Sequence, residues 1–187
     1  MKKNNIFIAI EGVDGVGKTT IASLLSTRLN ATYQKTPLLL FKWIARLLAK
    51  LRSPEIETVG YYLLTVLTSL TISLSLRKKS VICDKYILNT LTSQSCLGGK
   101  LTKLITKIRY LFIKKPNYTF CLMVYDKHQL LKRLKERGKL DENDKQLLPH
   151  WTNIQAEYRN FNEVIIVDTT NRNPKEILKT IINYLNV

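Results

Sequence analysis

Short apolar runs alternate along the chain with longer segments in which apolar residues recur every three or four positions. The segment Lys18–Leu29 shows this helical spacing, since Ala22, Leu24, Leu25 and Leu29 are predicted to lie near one face. Strands that alternate with helices predict an α/β fold with a parallel sheet covered by helices on both faces. The five predicted strands are Ile6–Ile10, Thr32–Lys35, Ser80–Cys83, Tyr118–Val124 and Val164–Val167.

Glycine and proline mark the ends of several predicted helices. A basic helix ends at Gly138, a polar stretch covers Lys139–Lys145, and Pro174 begins the final helix. Because the chain has no repeat, low-complexity linker or break in composition, we expect a single domain over residues 1–187. The predicted helices are Lys18–Leu29, Leu38–Leu51, a long helix from Pro54, Leu88–Leu97, Leu101–Ile113, Lys127–Arg137, one ending near Tyr158 and one after Pro174.

The long helix contains an uncharged stretch, Thr58–Leu76, which is 19 residues long. That length could span a bilayer. Seven of its residues are Ser or Thr, however, and it lies between segments that must meet in one site. We therefore predict a buried or subunit-interface helix and no membrane partner.

Composition adds few constraints. The net charge of +16 suits anionic partners, but the basic residues are spread along the chain and no nucleic-acid-binding motif accompanies them, so we do not expect nucleic acid as a partner. The three cysteines have no paired spacing, which argues against disulfides and a zinc site. The N-terminal segment lacks the pattern of a signal peptide, so a cytoplasmic location is expected.

Residues 12–19 read Gly-Val-Asp-Gly-Val-Gly-Lys-Thr and match the phosphate-loop pattern G-x-x-x-x-G-K-[ST]. Between a strand and a helix, such glycines let backbone N–H groups surround phosphate oxygens, and the lysine reaches the β- and γ-phosphates. The loop predicts ATP binding. The predicted ATP-binding residues are Gly12, Asp14, Gly15, Gly17, Lys18, Thr19 and Thr20.

A carboxylate at the end of a second apolar strand supports the same chemistry. Val81–Asp84 has the form of a Walker-B strand, which would place Asp84 beside a metal or its water shell. A helix cap is the other interpretation of an aspartate in this position. We predict that Thr19 and Asp84 hold Mg²⁺, the cofactor that accompanies ATP.

From these motifs the chain resembles the thymidylate kinases. Ile10–Thr20 is similar to their signature EGxDGxGKTT, Asp84-Lys85-Tyr86 resembles their DRY motif, and Gln94 matches a glutamine that follows it. Lys132–Asp141 resembles their lid sequence KRxxxRGxLD. The resemblance extends from residue 6 to about residue 180. It implies a P-loop NTPase fold of the nucleotide-kinase type, a short lid at about 133–146, and transfer of the γ-phosphoryl group of Mg-ATP to a nucleoside monophosphate, with dTMP favoured.

The resemblance also implies where the catalytic arginines lie. Such enzymes carry arginines in the phosphate loop or in the lid, and the loop position here is Gly15. The implied lid arginines are Arg133 and Arg137, which would act with Lys18 and Asp84 in catalysis. No catalytic base is needed, because a monophosphate is largely a dianion near neutral pH.

The acceptor site resembles the family less closely. Thr65 stands where an arginine is usual, one helical turn after an aromatic position occupied by Tyr61, and Lys85 replaces the arginine of DRY. These changes predict a relaxed or altered choice of acceptor. The acceptor-binding residues that the resemblance implies are Asp14, Arg46, Tyr61, Thr65, Lys85 and Gln94.

The sequence is also compatible with two other functions, and the resemblance implies an oligomeric state. A deoxynucleoside kinase would need a carboxylate base, for which Glu11 and Asp14 are available. A P-loop regulatory or nucleic-acid-associated ATPase would use the basic surface. The resemblance also implies a homodimer, in which the uncharged helix would form the interface. Its predicted interface residues are Tyr62, Val66, Leu70 and Leu74.

Overall fold

A computed structural model describes residues 5–38, 42–50, 53–138 and 142–185. Five parallel strands form one sheet in the order β2-β3-β1-β4-β5, which confirms the predicted α/β fold. The strands are β1 (Phe7–Glu11), β2 (Thr32–Lys35), β3 (Val81–Asp84), β4 (Tyr118–Met123) and β5 (Val164–Asp168).

Helices follow each strand. They are α1 (Lys18–Arg28), α2 (Lys42–Lys50), α3 (Pro54–Ser75), α4 (Ile87–Cys96), α5 (Thr102–Ile108), α6 (Lys127–Arg137), α7 (Glu142–Leu147), α8 (Trp151–Tyr158) and α9 (Pro174–Leu185).

The structure differs from the prediction at the start of the helix that ends near Tyr158. Part of the stretch predicted as polar and non-helical forms α7, and a short 3-10 turn at Leu148–His150 separates α7 from α8. Pro149 lies in that turn, where its ring and its missing N–H interrupt a continuous helix.

The core is built around β1, whose five residues are all buried. Its apolar residues are covered from both faces, as expected for a central strand of a parallel sheet. Phe7 meets Tyr86 edge to face, with ring centroids 5.1 Å apart.

The main chain passes very close to β4 as it leaves β1. A Cβ atom at Gly12 would lie 2.3 Å from the carbonyl oxygen of Leu122, and the φ angle of Gly12 is +129°. Both conditions require glycine. The phosphate loop therefore starts at a fixed point at the carboxyl end of the sheet, where ligands of such sheets bind.

Helix α3 has one buried and one exposed face. Its length and hydropathy would allow it to cross a membrane, but a core helix meets the same two conditions. Its N-terminus is capped by the Ser53 side chain, which accepts from the Ile56 N–H, and Pro54 occupies the first turn. The exposed face carries an apolar row that consists of Ile56, Val59, Leu63, Leu67, Leu70 and Leu74.

This exposed row corrects the predicted interface. Tyr62 is only 7% exposed, and its hydroxyl donates to the Ile108 carbonyl, so it belongs to the core. Val66 is partly buried, whereas Leu70 and Leu74 are exposed. A spacing of four residues advances about 40° beyond a full turn at each step. The predicted series therefore drifted from the buried face to the exposed one.

A carboxyl group lies inside the protein core around β1. Glu11, the last residue of β1, is fully buried, and its Oε1 accepts from the Leu88 N–H in the first turn of α4. Its Oε2 has no hydrogen-bond partner among the described residues. Burial raises the pKa of Glu11 to about 7, although backbone N–H groups of α4 and the charge of Lys18 oppose this shift.

Replacing Glu11 with Gln should flatten the dependence of stability on pH. Folded protein keeps the proton of Glu11 up to about pH 7, whereas the unfolded chain releases it near pH 4.5, so stability falls as pH rises between these values. The loss is on the order of 3 kcal/mol. Thermal unfolding of both proteins without nucleotide, at pH values from about 4 to about 8, measures this loss, because that range includes both pKa values of Glu11.

The matched control is Glu136→Gln, which removes an exposed carboxylate on α6. It should leave the pH dependence as it is in the unaltered protein. Equal pH dependence in the Glu11→Gln variant and the unaltered protein would contradict the assignment of a buried, protonated Glu11.

Candidate active site

The phosphate loop connects β1 to α1 and has the backbone form that the sequence predicts. Gly15 and Gly17 have φ angles of +87° and +96°. A Cβ atom at Gly15 would lie within 2.9 Å of both Leu130 and Leu134 of α6. The helix that carries the predicted lid arginines thus packs directly on the loop, in space that a side chain at position 15 would need.

Lys18 is held inside this loop. It is 4% exposed, and its Nζ donates to the carbonyl of Val13 at 2.7 Å and to Oδ1 of Asp14 at 3.0 Å. Burial lowers the pKa of Lys18, and the Asp14 carboxylate opposes that shift. The lysine is a buried cation whose position is fixed before any phosphate binds.

Asp14 joins two lysines. Its carboxylate also lies 2.9 Å from Nζ of Lys85, which follows β3. Burial alone would raise the pKa of Asp14, but the charges of Lys18 and Lys85 outweigh it and hold that pKa well below its usual range. Asp14 is therefore an ionised bridge between the phosphate loop and the end of β3.

The predicted metal ligands are in contact with each other. Thr19 Oγ1 donates to Oδ2 of Asp84 at 2.6 Å, and the Tyr33 hydroxyl donates to the same oxygen at 3.0 Å. Oδ1 of Asp84 is buried and has no hydrogen-bond partner within the described part of the chain. Mg²⁺ prefers oxygen ligands and keeps several waters and phosphate oxygens. These residues fit that ion.

A cavity of about 240 Å³ opens beside the loop, between α3, α4 and the end of β3. Four of the predicted acceptor-binding residues line it, namely Tyr61, Thr65, Lys85 and Gln94. Asp14 lies at its edge through the contact with Lys85. The side chain of Arg46, the remaining predicted residue, is outside the described part of the chain.

The cavity contains a carboxyl group that the sequence reasoning missed. Glu57 is 7% exposed, and its Oε2 accepts from Nε2 of Gln94 at 2.9 Å. Burial raises the pKa of Glu57, and the hydrogen bond from Gln94 opposes the shift. A signal was present, because Glu57 precedes Tyr61 by four residues and so shares its helix face.

The two predicted lid arginines have different partners. Arg133 donates to the carbonyl oxygen of Thr169 at 2.7 Å, and the Thr169 hydroxyl contacts the Val16 carbonyl in the phosphate loop. Arg137 forms an ion pair with Asp144 of α7. Residues 139–141, at the centre of the predicted lid, lie outside the described residues.

The charge of Arg137 reaches the acceptor side of the site. Burial lowers and Asp14 raises the pKa of Lys85, with a net increase, and the charge of Arg137 opposes Asp14. The pKa of Lys85 thus responds to the charge of Arg137. Arg133, in contrast, is fixed beside the loop that follows β5.

Comparison with known proteins agrees with this geometry. A family model described as thymidylate kinase matches residues 10–181. A probable thymidylate kinase from Methanocaldococcus jannaschii is 31% identical over 97% of this chain and 96% of its own length.

Two solved structures share the fold. Thymidylate kinase from Candida albicans superimposes with a TM-score of 0.75 at 20% identity, covering 98% of this chain and 92% of its own. Deoxyadenosine kinase from M. mycoides gives a TM-score of 0.67 at 17% identity, covering 98% of this chain and 100% of its own. The fold alone is thus common to both kinds of kinase, but the family match is specific, and the chain belongs to the thymidylate kinase family.

Proposed function

We propose that this chain is a cytoplasmic enzyme that transfers the γ-phosphoryl group of Mg-ATP to a nucleoside monophosphate, with dTMP as an acceptor. The observation that carries the proposal is the Asp14 bridge, which joins Lys18 of the phosphate loop to Lys85 of the adjoining cavity. Two cations fixed on either side of one carboxylate suit two phosphate groups that must meet end to end.

The donor would bind at the phosphate loop. Backbone N–H groups of residues 13–19 and the Lys18 ammonium would hold the β- and γ-phosphates, because they offer positive charge at the N-terminus of α1. Thr19 and Asp84 would hold Mg²⁺. An ion held there would supply positive charge that offsets the negative charge of the nucleotide's phosphate oxygens.

The acceptor needs no general base. Its phosphate is mostly a dianion near neutral pH, since the second pKa of a phosphate monoester is about 6. Lys85 would attract this phosphate towards the γ-phosphate, while the base enters the cavity next to Tyr61 and Gln94. Positioning and charge neutralisation would then supply the catalysis.

The surroundings of two carboxylates argue against a deoxynucleoside kinase. Such an enzyme must take a proton from a 5′-hydroxyl. Glu11 is buried and bonded to α4, and Asp14 is ionised between two lysines that keep its pKa low. Neither is suited to that task. A nucleic-acid-associated ATPase would leave the cavity beside Lys85 without a role.

Lys18→Ala should abolish phosphorylation of dTMP at every substrate concentration, because it removes the cation that the phosphate loop encloses. ADP formation in a coupled assay, with dTMP and with thymidine as acceptors, measures this. Lys78→Ala, which removes an exposed lysine, is the control and should retain activity. Phosphorylation of thymidine but not of dTMP by the unaltered enzyme would refute the proposed reaction.

Arg137→Ala should lower kcat at least about a hundredfold and change the affinity for ATP much less, since a lid arginine stabilises charge that develops during transfer. Steady-state kinetics and ATP titration separate the two effects. Lys135→Ala removes an exposed charge from the same helix and should change neither. Weaker ATP binding with an unchanged kcat would make Arg137 a binding group instead.

We also propose a homodimer through the exposed row of α3. Leu63 and Leu70 are each 58% exposed on this row, and α2, which packs against α3, adds the exposed side chains of Trp43 and Leu47. An apolar surface of this extent is typical of a protein interface. Twofold symmetry would let the row pack against itself.

Leu63→Glu should convert the dimer to monomers, because it places a charge in the apolar contact. Light scattering at working concentration measures the mass. Leu24→Glu introduces the same charge at an exposed position on α1, which is 39% exposed, and should leave the dimer intact. A monomeric unaltered protein would contradict the assembly.

A further inference from the structure

Lys85 has a backbone conformation that is uncommon for a residue with a side chain. Its φ angle is +70°, in the left-handed region that favours glycine. This conformation costs free energy, persists only where other contacts hold it, and occurs mainly at functional sites. Lys85 directly follows β3 and lines the acceptor cavity, so the strain lies where an acceptor phosphate would bind.

The left-handed turn brings two consecutive side chains to the phosphate loop and the start of α1. Asp84, the last residue of β3, accepts a hydrogen bond from Thr19. The next residue, Lys85, places its Nζ 2.9 Å from a carboxylate oxygen of Asp14. Consecutive residues of a continuing strand point to opposite faces of the sheet. The change of backbone direction at Lys85 therefore decides where its ammonium group lies.

Thr36, which directly follows β2, holds both peptide groups that flank Lys85. Its N–H donates to the carbonyl of Asp84 at 3.2 Å, and its hydroxyl donates to the carbonyl of Lys85 at 2.8 Å. Because each peptide group is planar, the φ and ψ angles of a residue are set by the orientations of the two peptide planes on either side of it. Two hydrogen bonds from Thr36 therefore restrict both angles of Lys85.

The two peptide planes are held by different further contacts. The plane before Lys85 is also bonded to β1, since the Lys85 N–H donates to the Ile10 carbonyl at 3.0 Å. In the plane after it, the Lys85 carbonyl also meets the Cys83 thiol at 3.0 Å, and a thiol is a weak donor. The Thr36 hydroxyl is thus the stronger of these two donors to the Lys85 carbonyl, and its loss would loosen the second plane.

We propose that Thr36 is a positioning residue, whose hydroxyl holds Lys85 in the left-handed conformation from which its ammonium group binds the phosphate of the acceptor. This inference rests on the proposed monophosphate kinase activity and adds a residue that acts on the acceptor through Lys85. The Thr36 side chain also lines the cavity, so the experiment must separate this role from a direct contact with the nucleotide.

Thr36→Val keeps the shape of the side chain and the backbone N–H but removes the hydroxyl. It should weaken dTMP binding about tenfold, which corresponds to one hydrogen bond. Thymidine binding should stay unchanged, because thymidine has the same base and sugar but no phosphate for Lys85. Ligand-detected NMR titrations without ATP, which also measure weak binding, give both dissociation constants. In steady-state kinetics the KM for dTMP should rise while the KM for ATP stays the same.

Three further variants control for the substitution. Thr36→Ser retains the hydroxyl and should bind dTMP as the unaltered protein does, whereas Thr36→Ala lacks it and should show the same selective loss as Thr36→Val. Thr27→Val is the matched control, because the Thr27 hydroxyl also donates to a carbonyl, that of Ser23, but at an exposed position on α1. It should change neither affinity. Thermal unfolding checks that each variant is folded.

A double-mutant cycle with Lys85→Met tests whether Thr36 acts through the lysine. Methionine removes the charge, so dTMP should bind weakly, and the addition of Thr36→Val should then cause no further loss. A further tenfold loss in the double variant would overturn the positioning role. Equal losses for dTMP and thymidine in Thr36→Val would do the same, and both results would leave the kinase activity standing.

Two other outcomes bear on the proposed function. A selective loss of dTMP binding in Thr36→Val, without phosphorylation of dTMP by the unaltered protein, would support the role of Thr36 and refute the proposed reaction. Unaltered protein that binds dTMP no more tightly than thymidine would overturn the inference, because Lys85 would then hold no phosphate.

Discussion

The ion pairs of Asp14 are the contacts on which the site depends. Lys18 is almost completely buried, and a buried cation is costly unless a carboxylate and further hydrogen bonds accompany it. Asp14 supplies that carboxylate and at the same time holds Lys85. One residue of the phosphate loop therefore keeps both a donor-side and an acceptor-side cation in place before either substrate is present.

The parts that sequence alone predicted are those encoded in one continuous stretch. The strand Phe7–Glu11, the glycines that follow it and the lysine at position 18 are adjacent in the chain, so their spacing specifies their geometry. Asp84 was predictable for the same reason. It is the last residue of a buried parallel strand, and such a residue lies at the carboxyl edge of the sheet. The five-stranded sheet followed from the alternation of apolar runs and helical segments.

The acceptor cavity could be predicted only in part, because it is assembled from segments far apart in sequence. Glu57 and Gln94 are 37 residues apart and meet only when α3 packs on α4. A glutamate in a helix is normally an exposed residue, and no local pattern shows that this one is buried. Likewise, a run of apolar residues predicts that α3 has an apolar surface, but small errors in helical phase decide which residues face the core. That is why Tyr62 was assigned to the wrong face.

The final helical segment before β5 carries a contact with a consequence for the loop. Tyr158, the last residue of α8, is fully buried, and its hydroxyl accepts from the Gly12 N–H at 3.2 Å. The Gly12 N–H is consequently unavailable to a phosphate. The amides that surround the phosphates would be those of the residues after Gly12. A phenylalanine would fill the same space but leave the Gly12 amide unsatisfied. The start of the phosphate loop is therefore held in place by a tyrosine 146 positions further along the polypeptide.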